Sequence, residues 1–210
     1  MNRIEMRMHE CESRATIQDD GSVILTGRPV VFNSWTDLGW FDEIIEPGAL
    51  DETDLRDVRF LVNHDMRGIP LARSRRNNGN STMLLVPDAL GLNMEYARLD
   101  VGRNEQARAL VSAIERGDIS GMSFCFSVDS DKWDDLESDH PKRHILKISS
   151  IIEVSCVSFP AYEDTYINIR EQSREALDNA RAELESLKQA RAVETAKAEL
   201  DLLKAKLNLY

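Results

Sequence analysis

The sequence predicts an α+β fold: a mainly antiparallel β-sheet that closes or nearly closes into a barrel, with peripheral helices and one long C-terminal helix. Three observations carry this. Short runs rich in branched or aromatic residues recur up to about Asn168, turn signals separate them at hairpin-like spacing, and from Asp164 onward glycine and proline disappear from a stretch of Ala, Leu, Glu, Lys and Arg. The 210 residues, 42% hydrophobic, suffice for one sizeable core and an appendage, divided here into a body of residues 1–168 and a helical arm of residues 169–210.

The strands are expected where Ile4, Met6 and Met8 alternate with polar residues, and in Ser22–Thr26, Pro29–Phe32, Val58–Val62, Met83–Val86, Leu92–Leu99, Met122–Val128 and Ile145–Phe159. Asp20-Gly21, Asn78-Gly79, Pro87-Asp88 and Ala89-Leu90-Gly91 supply turns between them. In Asn104–Arg116 the apolar Ala107, Leu110, Val111 and Ile114 fall at helical spacing, and Gly117 is placed to end that helix in a left-handed turn. Pro47–Arg56 gives a weaker helix pattern, opened by a proline suited to a first turn. In the arm, Leu177, Ala180, Leu184 and Leu187 follow a 3-4-3 spacing. Val193, Ala196, Leu200, Leu203 and Leu207 repeat it after a phase slip near Ala190, as in a coiled-coil seam. A single exposed helix ordered by packing accounts for the same pattern.

The formal net charge of -11 disfavours attraction to phosphate backbones or anionic lipid, so neither nucleic acid nor membrane is expected as a partner. The arm is nearly neutral, and the charge therefore sits on the β-rich part. No apolar run approaches a membrane span, and Met1 to Glu10 carries charges where a signal peptide would be apolar, which reads as a soluble, unexported chain. Cys11, Cys125 and Cys156 show neither CxxC nor CxH spacing and fit a reducing cytoplasm rather than a disulfide framework or a zinc site.

Of the four histidines, His9 lies in a polar strand, while His140 and His144 flank a charged loop. His64 differs: it ends the apolar run Phe60-Leu61-Val62 within Asn63-His64-Asp65, where a strand meets a loop and a side chain is held yet reachable. A structural histidine and a catalytic one both fit that position. Ser123, in Gly121-Met122-Ser123-Phe124, follows a small residue that leaves room for a substrate backbone and amide donors. It is not a GxSxG elbow, because Cys125 stands at the second glycine. Glu153 lies among apolar residues in Ile151-Ile152-Glu153-Val154-Ser155, so its carboxylate requires a specific partner, either a structural arginine or an imidazole.

A succession of motifs then resembles one family. Phe32-Asn33 with Asp37, Glu43-Ile44-Ile45-Glu46-Pro47-Gly48-Ala49-Leu50, Val62-Asn63-His64-Asp65, Gly91-Leu92, Gly121-Met122-Ser123-Phe124, and Glu153-Val154-Ser155 followed by Phe159-Pro160-Ala161 look like the prohead maturation proteases of tailed bacteriophages. These are similar to the herpesvirus capsid-maturation proteases, serine enzymes on a closed, orthogonally packed β-barrel. The resemblance covers about Gly27 to Thr165, in order, and leaves the arm outside.

Position by position, the resemblance implies Ser123 as nucleophile and His64 as its general base. Glu153 takes the acidic position of the Glu-Val-Ser block and is assigned to orient His64; the herpesvirus relatives use a second histidine there, which makes His144 the alternative. Cys125 and Ala72 stand where the family often has glycine, the first within the oxyanion region. The implied reaction is peptide hydrolysis through an acyl-enzyme, with no metal and no cofactor. The implied substrates are the capsid scaffold or the scaffolding segment of the major capsid protein, minor procapsid proteins and the protease itself. The place of action is the assembling procapsid in the host cytoplasm, and residues 171–207 are a candidate surface for scaffold binding or self-association. A non-enzymatic capsid-assembly protein that oligomerises through its helix is the second reading, and a general esterase or amidase the third.

Overall fold

A computed structural model describes residues 4–10, 13–19, 21–158 and 163–207. In chain order the elements are β1 (Ile4–Glu10), β2 (Arg14–Ile17), β3 (Val23–Val31), β4 (Thr36–Asp37), β5 (Asp42–Ile45), β6 (Arg59–Val62), β7 (Ala72–Arg73), β8 (Met83–Asp88), β9 (Gly91–Leu99), α1 (Glu105–Glu115), β10 (Gly121–Asp134), β11 (Lys142–Val157) and α2 (Glu163–Leu207). The two expected runs Ser22–Thr26 and Pro29–Phe32 merge into β3, whose pairing with β9 is irregular on either side of Gly27. Phe159, at the end of the last expected strand, lies outside the described residues, as does Cys11.

The long hairpin β10–β11 is the spine of a seven-stranded sheet ordered β1-β10-β11-β5-β4, with β6 also on β11 and β7 on β6. Two short strands share one side of β11, both parallel to it. Asp42–Ile45 runs against Lys142–Ile145, and Arg59–Val62 against Glu153–Cys156. A four-stranded antiparallel sheet, β2-β3-β9-β8, packs over it. Leu25, Val30, Met83, Leu92, Met94 and Leu99 of the smaller sheet meet Phe60, Met122, Phe124, Phe126 and Val154 of the larger in one core.

The closed or nearly closed barrel expected from the strand spacing is not formed. Neither sheet closes on itself, and among the described residues no ladder joins them. The edges explain this: β4 and β7 are two residues long, and the edge strand β8 contains Pro87, which has no N–H to donate. Where β3 passes β10 the sheets touch through side chains, with a Cβ on Gly27 falling 2.6 Å from the Met122 sulfur. Within the mainly antiparallel larger sheet, β5 and β6 pair parallel to β11; such pairing depends on long connections that leave no local pattern in the sequence.

Helix α1 forms as its sequence dictates. Asn104 Oδ1 accepts the amides of Gln106 and Ala107 at 3.0 and 3.1 Å, Gly117 ends the helix at φ 77°, and Ala107, Leu110 and Val111 are buried. Pro47–Arg56 is not a helix. Gly48 takes φ 88°, and the backbone groups a helix would use go instead to β11: Asp54 N–H donates to Ser149 O, while Ala49 O and Asp54 O accept from Ile148 and Ile151.

Helix α2 is anchored through its first turns. Ile169 and Leu177 pack with Leu38 and Phe41, against Met6 and Met8 of β1. Arg170 and Arg174 lie over the Trp40 ring at 5.8 and 5.4 Å. Arg181 donates to the carbonyls of Leu136 and Ser138, and Lys188 pairs with Glu137. Beyond that point the seam residues Val193, Leu200 and Leu203 are exposed.

Strand β1 is held from its other face by buried charge. Arg7 donates to Glu43 Oε1 and Oε2 at 2.5 and 2.7 Å and to Glu5 Oε2 at 2.6 Å, and Arg143 reaches Glu5, Glu43 and Asp131. Burial pushes the Glu5 carboxyl up, but Arg7 and Arg143 outweigh it and hold its pKa below the ordinary value.

Candidate active site

Alternation along the strands creates the site. Register aligns Met8, Ser123, Ser155 and Leu61 as one row across β1, β10, β11 and β6, with Met6, Cys125, Glu153 and Arg59 as the next. Intervening residues such as Phe124, Val154 and Phe60 fill the core, so their neighbours project from the opposite face. Ser123, Glu153 and Ser155 are nevertheless buried there.

His64 reaches this face by a turn. After Val62 the backbone enters the left-handed region twice, at Asn63 (φ 49°) and His64 (φ 59°), which costs on the order of 1 kcal/mol for each non-glycine residue. Four hydrogen bonds hold it. Asn63 N–H donates to Cys156 O at 3.0 Å, Asp65 N–H to Val62 O at 3.1 Å, His64 N–H to Ser155 Oγ at 3.2 Å, and Ser158 N–H to Asn63 Oδ1 at 3.2 Å.

The turn brings His64 Nδ1 to 2.6 Å from Glu153 Oε1, so the partner of this buried carboxylate is an imidazole. Its second oxygen, Oε2, accepts the Ser155 hydroxyl at 2.5 Å. In the neutral imidazole with Nδ1–H donating to the carboxylate, Nε2 carries a lone pair. That atom is buried and has no hydrogen-bond partner among the described residues.

Ser123 lies directly opposite Ser155 in the β10–β11 ladder. Its hydroxyl donates to the carbonyl of Arg7 on β1 at 2.6 Å and makes no hydrogen bond to His64. Cys125, across from Glu153, has its thiol pKa pushed up to about 12 by burial and by that carboxylate, and so it is not an ionised nucleophile.

His144 and His140 lie elsewhere. His144 is on the same strand as Glu153 but some 25–30 Å away at about 3.3 Å per residue. Its Nδ1 meets Glu46 at 2.6 Å, its Nε2 approaches Asp134 at 3.1 Å, and Trp35 contacts its ring edge-on. His140 stands by Asp42 and Asp37 at the exposed β4–β5 edge, a group whose potential ligand atoms lie within 4.8 Å of one another. Two contributors were given no role from the sequence: Ser155, present there only as the last residue of the Glu153-Val154-Ser155 motif, and the Arg7 carbonyl, which no side chain announces.

A family model described as caudovirus prohead serine protease matches residues 9–180. No curated protein and no solved structure matches. The match takes in the smaller sheet, the larger sheet from residue 9 onward, the His64–Glu153 pair, Ser123 and α2 as far as Ala180; residues 4–8 of β1 and the exposed seam lie outside it. The chain belongs to the caudovirus prohead serine protease family.

Proposed function

We propose that this prohead serine protease cleaves peptide bonds through an acyl-enzyme, with Ser123 as nucleophile, His64 as general base and Glu153 as the group that orients the imidazole. Ser123 turns from the Arg7 carbonyl, gives its proton to His64 Nε2 and attacks the scissile carbonyl carbon. The resulting imidazolium, charge-compensated by Glu153, protonates the leaving amine as the carbon–nitrogen bond breaks. Water, deprotonated by the same nitrogen, then releases the acyl group and restores the hydroxyl. The observation that carries the reading is a largely buried imidazole bound through Nδ1 to a buried carboxylate, with its Nε2 buried and without a hydrogen-bond partner among the described residues.

The proposed substrates are the scaffold or the scaffolding segment of the major capsid protein, other internal proteins of the procapsid, and the protease itself. The proposed place of action is the assembling procapsid within the host cytoplasm. On this reading residues 1–168 supply the chemistry. Residues 169–210 anchor through their first turns and offer the exposed Val193, Leu200 and Leu203 to a scaffold helix or a second copy. Self-cleavage is proposed at Ala161–Gln172, where the body meets the arm; residues 161–162 lie outside the described residues, as do the side chains as far as Asn168.

Reaction with a fluorophosphonate tests the assignment without knowledge of the cleavage sequence. The label is expected on Ser123 by peptide mass spectrometry, and incubation with the cognate scaffold should give fragments that Ser123→Ala does not produce. A label on another serine would overturn the assignment.

A further inference from the structure

We infer that Ser155 is a positioning residue of this reaction, holding the imidazole and its carboxylate in one geometry; the inference rests on the roles proposed for Ser123, His64 and Glu153. The Ser155 oxygen accepts the backbone N–H of His64 at 3.2 Å and donates its own proton to Glu153 Oε2 at 2.5 Å, while Glu153 Oε1 meets His64 Nδ1 at 2.6 Å. The three contacts form a closed ring through three residues. Each is needed for a separate reason. A carboxylate tied at only one oxygen is free to swivel about its terminal torsion, and the second bond fixes its plane. The part-buried His64 amide, in left-handed backbone, requires an acceptor, and Ser155 is that acceptor. With its proton on Glu153 and one lone pair on the His64 amide, Ser155 is built into the frame of the imidazole, although it stands opposite Ser123.

Ser74 provides the contrast. It is equally buried and bonded in the same pattern, accepting Val58 N–H at 2.8 Å and donating to Leu55 O at 2.8 Å, but it touches neither His64 nor Glu153. A serine that only supports the fold should behave like Ser74.

The test is the inactivation of the full chain by diisopropyl fluorophosphate, resolved into the maximal rate and the concentration for half-maximal rate. Ser155→Ala is expected to lower the maximal rate about 10- to 100-fold while the half-saturating concentration stays within about twofold. Ser155→Cys preserves the shape but weakens both hydrogen bonds, and it should show the same loss if the alanine chain does not fold. Ser74→Ala should lower the melting temperature and leave the maximal rate unchanged. Wild-type maximal rates in both Ser155 variants would overturn the positioning role and leave the Ser123 assignment standing. A label on Ser155 in the wild-type chain would overturn both.

Discussion

Ser123 and Ser155 face each other across the β10–β11 ladder, yet their protons leave in different directions: that of Ser123 goes to the Arg7 carbonyl on β1, that of Ser155 along its own strand to Glu153. The pair divides one row of the sheet into a hydroxyl bonded to a main-chain carbonyl and a hydroxyl built into the His64–Glu153 frame.

Ser123→Ala is therefore expected to abolish cleavage while leaving the fold in place. The lost side chain contributes one hydrogen bond to a backbone carbonyl, worth about 1 kcal/mol. Circular dichroism and a melting curve close to wild type, alongside a dead enzyme, are the expected result. Ser120→Ala, altered at an exposed position, should cleave normally, and the reverse pattern would refute the nucleophile.

For the third member, Glu153→Gln is expected to lower kcat by about 10²- to 10⁴-fold, since an amide cannot compensate an imidazolium. His144→Ala should stay within a few-fold of wild type, because its partners Glu46 and Asp134 lie at the other end of β11. Kinetics of the two variants on one peptide decide between them.

Cys125 should resist alkylation. Its thiol, pushed to about 12 by burial and Glu153, is almost wholly protonated at pH 8, and the thiolate is the reactive form. Iodoacetamide with peptide mapping should leave Cys125 unmodified in the native protein and modified in denaturant. Rapid native labelling would contradict the burial that raises the thiol.

The buried charges around Arg7 should appear as acid sensitivity. Glu5 is depressed below its ordinary 4.5, so the stability it contributes is present above that pH and is lost as the pH falls through the lower folded value. Glu5→Gln should flatten the fall in melting temperature below about pH 4.5. Glu43→Ala leaves Arg7 and Arg143 under-compensated in the interior and should cost about 3–5 kcal/mol in urea unfolding.

Truncations should separate the two parts of α2. A chain ending at Gln189 keeps Ile169, Leu177, Arg181 and Lys188 and is expected to melt and cleave short peptides as wild type does. A chain ending at Arg170 uncovers Leu38 and Phe41 and should melt markedly lower. Equal melting temperatures would show that the helix adds nothing to the body.

What could be read in advance follows from what is local. Helix α1 was legible because Asn104, Gly117 and the apolar stripe lie within one short segment, and the long helix because glycine and proline are absent from it. Pro47–Arg56 misled because its helical preference was outbid by hydrogen bonds to Ser149, Ile148 and Ile151, far along the chain. Barrel closure misled because strand count says nothing about which edges meet. In the site, the buried setting of Glu153 signalled a need for a partner, and motif order pointed to His64. The ring through Ser155 depends on two left-handed residues, Asn63 and His64, that carry no glycine to advertise them.

The parallel strands on β11 bear on when the molecule can become active. His64 follows β6, which has no partner on that side until Glu153–Cys156 exists, and β5 waits on Lys142–Ile145 in the same way. On a ribosome, a chain that has not yet released Glu153 has an imidazole without its carboxylate. The pairing is long-range and forms late, as contacts distant in sequence do. On the proposed mechanism, synthesis of nearly the whole body precedes the moment at which His64 meets its carboxylate, and the nascent chain is expected to be inactive toward itself and its neighbours until that strand is laid down.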